Sequence, residues 1–323
     1  MTRYYAFNGD ADGLCALQQL RLAEGSGGTL ITGVKRDIRL LDRVPAVAGD
    51  EVTVLDISLD SNRDALDRLL GVGAAVRYFD HHHAGEIPMH ARFASHIDTA
   101  ADVCTSILVD RHLSGRHQAW AIAAAFGDSL PGPAKALAQM EGLPADTATE
   151  LERLGILLNY NAYGETLGDL HFDPAGLAQQ MLPFADPIEF MSSCEAFTRL
   201  REGYEDDMAR ARRLAPARDV AGATVVVLPD AAWARRAIGV LANELMHAKP
   251  DNSIAILSPN AKGSYTVSVR ASAGSPIGAD EFCLQFPSGG GRKRAGGINH
   301  LPAAEVEGFV ARFESQFAGG PAV

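Results

Sequence analysis

The chain has 323 residues, 47% of them apolar and 21% charged, with 32 glycines and 16 prolines. At about 100–200 residues per domain this predicts two globular domains, and the composition excludes disorder, collagen and coiled coil. The net charge is −11, with 26 acidic and 14 basic side chains in residues 1–194 against 14 and 15 in the remainder; so acidic a first part repels a long polyanion and argues against an extended duplex-DNA binder.

No apolar run approaches the roughly 18–20 residues of a membrane helix, and Met1 to Phe7 leads into acidic loop residues rather than a signal segment. A soluble, cytoplasmic protein with no membrane partner is expected. Cys15, Cys104, Cys194 and Cys283 lie far apart without a C-x-x-C pair, which fits buried thiols in a reducing compartment better than a disulfide frame or a zinc site.

In chain order, Tyr4 to Asn8 reads as a strand, Leu14 to Ala23 as a helix, Thr29 to Val34 and Glu51 to Ile57 as strands, Asn62 to Leu70 as a helix and Ala74 to Phe79 as a strand. Continuous apolar strands separated by helices predict a doubly wound α/β domain with a mainly parallel sheet. From Val103 to about Asn159 the pattern is helical, with Thr99, Thr105, Pro131 and Asp146 as starts, and an irregular stretch follows. Glu189 to Leu214 reads as one long charged helix. Strands at Ala223 to Leu228, Ser253 to Leu257 and Tyr265 to Arg270, with helices at Arg235 to His247, Ala279 to Phe286 and Ala303 to Phe317, predict a smaller second α/β domain. The expected division is 1–188, a helical connector over 189–218, and 219–323, with a small tail at Gly319-Gly320-Pro321.

Ligands of doubly wound sheets sit outside the carboxyl ends of the strands. Three strand ends deliver polar residues there: Asn8-Gly9-Asp10-Ala11-Asp12-Gly13, Asp56 and Asp80-His81-His82-His83. The first matches the opening of an EF-hand loop, but Gln19 and a preceding strand stand where a glutamate and a helix are required. Taken alone, it reads equally as an Asx turn capping a helix, and the histidines as a surface run. Asp128 breaks the apolar helix Ala123 to Gly127. Four acids so placed, with imidazole and no thiolate, favour a Mn²⁺ or Mg²⁺ site. In the second domain, Gly289-Gly290-Gly291-Arg292-Lys293-Arg294 is either a flexible turn or a phosphate-binding nest of N–H groups. Arg270 either joins it or pairs with a core carboxylate, and Lys35, Arg36, Arg39 and Arg43 read as a solvated helix face.

In this order, Asp10-x-Asp12-Gly13, Asp56, Asp80-His81-His82 and Asp128 resemble the four motifs of the DHH phosphoesterases. The segment Gly290 to Gly297 and Ser268-Val269-Arg270 are similar to the G-G-H-x-x-A-A-G and S-x-R signatures of that family's associated C-terminal nucleotide-binding domain. The resemblance implies a metal-dependent phosphoester hydrolase with two Mn²⁺ or Mg²⁺ ions per chain in a cleft between domains. Asn8 and Asp10 would hold one metal, Asp12, His81 and Asp128 the other, and Asp56 both; His82 would orient or protonate the leaving oxygen, and Asp80 would fix a ligand's hydrogen bonds. Ser268, Arg270, Gly289, Gly290, Gly291 and Arg292 would grip substrate phosphate.

Two positions depart from the pattern. Asn8 stands where a metal-binding histidine is usual, and Arg292 where the C-terminal signature has histidine; arginine holds phosphate but transfers no proton. The expected substrate is a short single-stranded oligonucleotide, such as an oligoribonucleotide, or a dinucleotide or nucleoside bisphosphate. The competing readings are a degenerate nucleotide-binding protein with little hydrolysis, and a pyrophosphatase or polyphosphatase. The oligomeric state stays open, a homodimer among the options.

Overall fold

The computed structural model describes residues 1–318, so the Gly319-Gly320-Pro321 tail lies outside the described residues. The chain divides into two compact units, Met1–Glu202 and Gly203 onward. No helix among the described residues is long and apolar enough to cross a membrane.

The first unit is built on strands β1 (Arg3–Phe7), β2 (Thr29–Ile31), β3 (Glu51–Leu55), β4 (Ala75–Asp80) and β5 (Phe93–Ile97). They form one sheet in the order β2-β1-β3-β4-β5, every pair parallel. Helices α1 (Ala11–Glu24) and α2 (Arg63–Gly71) cross between strands, and α3 (Thr105–His112), α4 (Gln118–Gly127), α5 (Pro131–Met140), α6 (Ala145–Ala162), α7 (Pro174–Met181) and α8 (Pro187–Ser193) follow. Alternation along the strands sends Ala6, Val54, Val76 and Tyr78 into a core with Leu66, Leu69 and Leu70 of α2. Phe7, Leu55 and Phe79 are buried on the opposite face. Strand order reverses between β1 and β3, and a doubly wound sheet opens its ligand crevice at such a point.

The second unit holds β6 (Arg218–Val220), β7 (Ala223–Val227), β8 (Ser253–Pro259), β9 (Ser264–Arg270), β10 (Gly289–Arg292) and β11 (Ala295–Pro302), with helices α10 (Ala232–Ala248), α11 (Ala279–Cys283) and α12 (Val306–Phe317). The boundary between units falls within α9 (Glu195–Ala211). The sheet order is β10-β11-β9-β8-β7-β6; β7 and β8 run parallel and the other pairs antiparallel. Val267, Val269 and Ile298 pack against Phe282, Phe309, Phe313 and Phe317, which α11 and α12 supply. The three phenylalanines of α12 recur every fourth residue, and the ring of Phe282 meets them at centroid distances of 5.6, 5.5 and 5.2 Å.

The structure departs from the sequence reading where local signals mislead. β5 is an edge strand whose burial alternates poorly, and β6 is exposed throughout; neither shows the apolar pattern that marks a strand. Thr99 starts no helix. The irregular stretch contains α7, whose N-cap Asp173 accepts from Gly176 N at 2.9 Å, and α8 begins in the same way at Asp186-Pro187; proline fits the first helical position because its missing N–H has no partner there. The long helix expected from Glu189 is two, α8 and α9, parted at Cys194, whose backbone is extended. The glycine-rich loop is strand β10, hairpin partner of β11. All four cysteines are buried and free.

Candidate metal centre

Asn8, Asp10, Asp12, Asp56, Asp80, His81, His82 and Asp128 come together at the carboxyl ends of β1, β3 and β4 and the end of α4. Each is fixed by the local fold. Asp10 is the N-cap of α1, its Oδ1 accepting from Asp12 N at 3.0 Å and Gly13 N at 3.2 Å. A Cβ on Gly13 would sit 2.1 Å from the Asn8 carbonyl oxygen, so this tight passage from strand to helix needs glycine there. Asp12, buried, accepts from Ser106 N on Oδ1 and Thr105 N on Oδ2, each at 2.7 Å. The start of α3 therefore holds this carboxylate by its free N–H groups.

Asp56 turns the chain at φ 59°, a left-handed conformation that aspartate tolerates better than most residues. Its Oδ1 accepts from Thr105 Oγ1 at 3.3 Å and lies 3.3 Å from His81 Nε2. Asp128 caps the end of α4 where α4 and α6 approach closely: a Cβ on Gly155 would lie 2.0 Å from the Ala123 carbonyl oxygen.

His81 is buried, and its Nδ1 lies 2.9 Å from the Val103 carbonyl oxygen. A carbonyl only accepts, so Nδ1 carries the proton and the deprotonated ring offers its Nε2 lone pair inward. That Nε2 lies 3.9 Å from Asp12, 3.3 Å from Asp56 and 3.8 Å from Asp128. Burial works against the imidazolium, but Asp56, Asp12 and Asp128 outweigh it and push its pKa up to about 10. Burial, then Asp10 and Asp12, drive the carboxyl of Asp56 well above the usual carboxylate range, and burial also raises that of Asp128. This excess of buried negative charge calls for a cation.

The donor atoms of Asp12, His81 and Asp128 lie within 4.8 Å of one another, as do those of Asp56, His81 and His82. Asp128 Oδ2 is buried without a hydrogen-bond partner. Carboxylate oxygens, one imidazole nitrogen and a lone buried oxygen suit Mn²⁺ or Mg²⁺. His82 serves the second group less well, because Asp80 Oδ1 already engages its Nδ1 at 2.7 Å.

The sequence reading misplaced Lys35. The basic set does not share one helix face: Arg39 precedes and Arg43 ends a short 3-10 turn, where Arg39 is exposed and pairs with Asp42 at 3.0 Å and Arg43 pairs with Asp37, while Lys35 turns into the site. Its Nζ pairs with Asp10 Oδ2 and donates to Asn159 Oδ1 at 3.1 Å. Burial opposes its charge, yet Asp10, Tyr163 and Asp128 hold the ammonium above the ordinary lysine range. Thr105, Ser106 and Asn159 were missed as well, because backbone N–H donors and a helix-borne amide leave no motif.

In the second unit, Ser268 and Arg270 stand on β9, where Arg270 donates to Asn243 Oδ1 at 2.8 Å and to Ser268 Oγ at 3.1 Å. Register places Arg270, Ala295 and Arg292 in one cross-strand row and Ser268, Gly297 and Gly290 in the next. Ser268, Arg270 and Arg292 therefore share one sheet face, opposite Val267 and Val269. A Cβ on Gly290 would meet nothing within 4 Å, whereas one on Gly289 would strike the Cys283 carbonyl oxygen at 1.7 Å.

No family model and no curated protein matches the chain. Solved structures do. The exonuclease RecJ bound to manganese is 21% identical with a TM-score of 0.65, over 99% of this chain and 91% of that one. A DHH domain described as coming from a member of a ribosomal-protein family is 13% identical, TM-score 0.64, over 99% and 87%. A pGpG-specific phosphodiesterase from Vibrio cholerae, PggH, is 16% identical, TM-score 0.56, over 98% and 100%. With its strand-end acids and histidines in the expected order on a parallel sheet, and a second unit built on a mixed sheet, the chain has the two-domain fold of the DHH phosphoesterases.

Proposed function

We propose that the chain is a divalent-metal-dependent phosphoesterase that hydrolyses short oligonucleotides, dinucleotides or nucleoside bisphosphates. The observation that carries this reading is the convergence of Asp12, Asp56 and Asp128 on His81 Nε2, the ring nitrogen turned away from the Val103 carbonyl. Asp12, His81 and Asp128 would hold a Mn²⁺ or Mg²⁺ ion with Asp56, and Asn8 and Asp10 are the remaining candidates for a second. Such ions lower the pKa of bound water and neutralise charge on phosphoryl oxygens.

The protein's own groups supply the rest. Asp80 keeps the proton of His82 on Nδ1, which leaves Nε2 to carry a proton to a departing oxygen. Ser268, Arg270 and Arg292, on one face beside the unhindered backbone at Gly290, suit a phosphate. RecJ bound to manganese and the pGpG-specific phosphodiesterase share this fold and support the reaction class.

The test is Mn²⁺-dependent release of mononucleotide from RNAs of two to five residues and from a linear dinucleotide. Turnover that Asp56→Asn abolishes is the expected result; no turnover with any divalent ion overturns the reading. The contact of Lys35 with Asp10 favours a second reading, a nucleotide-binding protein with little hydrolysis. Tight nucleotide binding without turnover, together with fewer than one Mn²⁺ per chain, would establish it.

A further inference from the structure

Both carboxylate oxygens of Asp10 are engaged by hydrogens of this chain, and one of the donors is a cation. Oδ1 takes the N–H groups of Asp12 and Gly13, and Oδ2 takes the Lys35 ammonium. Lys35 is itself anchored on several sides. Its backbone N–H donates to the Ala162 carbonyl at 3.0 Å, its Nζ reaches Asn159 Oδ1 at 3.1 Å, and the same Nζ lies 5.7 Å from the centre of the Tyr163 ring. Three-quarters of its side chain is buried. A lysine so held is a fixed positive charge rather than a solvated one.

The neighbouring residue points the same way. Asn8 donates from Nδ2 to the Lys35 carbonyl at 3.4 Å, and its Oδ1 is buried with no hydrogen-bond partner. Neither group of converging carboxylate and imidazole donors found among the described residues includes Asp10. The two halves of the centre are therefore unequal. On one side the Asp128 carboxylate and the inward imidazole nitrogen of His81 face a position suited to a cation. On the other, a cation of the protein's own is already seated.

We propose that Lys35 is a resident cation of this centre that competes with a second divalent ion for Asp10, so that the two metal positions fill in order, the Asp12, His81 and Asp128 position first. An ammonium and a divalent ion drawn to the same carboxylate oxygen weaken each other's hold on it, because they draw on the same negative charge and the two cations repel. The second ion enters only as Lys35 withdraws toward Asn159, and Asn8, with a neutral amide in place of an anionic or imidazole donor, gives it little help. This proposal rests on the metal-centre reading above.

The experiment is Mn²⁺ titration of the metal-stripped full chain at constant ionic strength, read by equilibrium dialysis with elemental analysis and by electron paramagnetic resonance. Wild type is expected to bind one ion per chain tightly and a second at least tenfold more weakly, with the signal of a coupled Mn²⁺ pair appearing only in the second phase. Lys35→Met, similar in length and uncharged, should tighten the second phase at least tenfold, leave the first within about threefold, and bring the coupled signal to lower Mn²⁺. Lys35→Arg should keep the two phases apart. Two ions of equal affinity in wild type overturn the proposal, as does a second phase that Lys35→Met leaves unmoved. If Lys35→Met does not fold, the wild-type titration still decides the order of filling. A wild type that binds no Mn²⁺ overturns the metal centre altogether, whereas a metal-dependent hydrolase with two equal sites overturns only the role of Lys35.

Discussion

His82 Nδ1 donates to Asp80 Oδ1 at 2.7 Å, while Asp80 Oδ2 is buried without a hydrogen-bond partner. The carboxylate accepts and the ring donates, so His82 is held in the tautomer that carries its proton on Nδ1 and its lone pair on Nε2. His82→Ala should lower kcat by about 10²–10⁴-fold, the usual worth of a positioned acid or base, and leave bound metal unchanged. Asp80→Asn should cost about 10–100-fold, as for a lost orienting partner. Single-turnover hydrolysis of a dinucleotide beside elemental analysis checks both; loss of metal from His82→Ala would make His82 a ligand instead.

Asp56 is crowded by Asp10 and Asp12, and burial together with those charges raises its pKa. Without metal, its charge costs the fold stability; with metal, the same charge binds. Asp56→Asn should therefore melt at a temperature equal to or above wild type when metal-free, yet lose at least about a hundredfold in activity, the scale of several kcal/mol that a catalytic ion supplies. Calorimetry with and without Mn²⁺ tests it, and a variant that is less stable in both states contradicts it.

The approach of α4 to α6 sets where Asp128 stands. Gly155→Val places a side chain where even a Cβ lies 2.0 Å from the Ala123 carbonyl oxygen. Overpacking typically costs about 1–3 kcal/mol. Urea unfolding should show a loss of that order, and Mn²⁺ titration should show weaker binding in the folded variant. Unchanged metal affinity would separate the helix contact from the site.

Glu24 and Arg77 form a two-pronged ion pair, both contacts at 2.8 Å. Hydrogen bonding to Arg77 holds the Glu24 carboxyl below its ordinary value of 4.5. A lowered carboxyl contributes stability that is present above about pH 4.5 and lost as pH falls through its folded value. The pair is partly exposed, so about 0.5–1 kcal/mol is the scale. Glu24→Gln should be less stable than wild type at pH 7 by that amount, the difference shrinking as the pH falls below 4.5; a gap that does not narrow on acidification would refute it.

The parallel sheet and the acids at its strand ends were legible in the sequence because buried parallel strands read as apolar runs, and a charge directly after such a run is conspicuous at Asp56 and Asp80. Asp128 was legible for the same reason at the end of an apolar helix. What escaped lies in tertiary contacts without local pattern. Lys35 looked like one of four surface cations, and only the passage of its backbone beside Ala162 turns it inward. Thr105 and Ser106 act through backbone N–H groups, which any residue carries. The hairpin of β10 and β11 was hidden because glycines, poor strand formers, here let β10 pass against Cys283.

The left-handed backbone of Asp56 leaves this position few substitutes. Glutamate keeps the charge but tolerates that turn poorly, and glycine keeps the turn but drops the carboxylate; asparagine keeps turn and shape and loses only the charge. The codons of aspartate and asparagine differ by one base. On the proposed function, the easiest heritable change at this position would silence the centre while the fold persists, so inactive, well-folded descendants of this chain should carry asparagine at position 56 more often than any other residue.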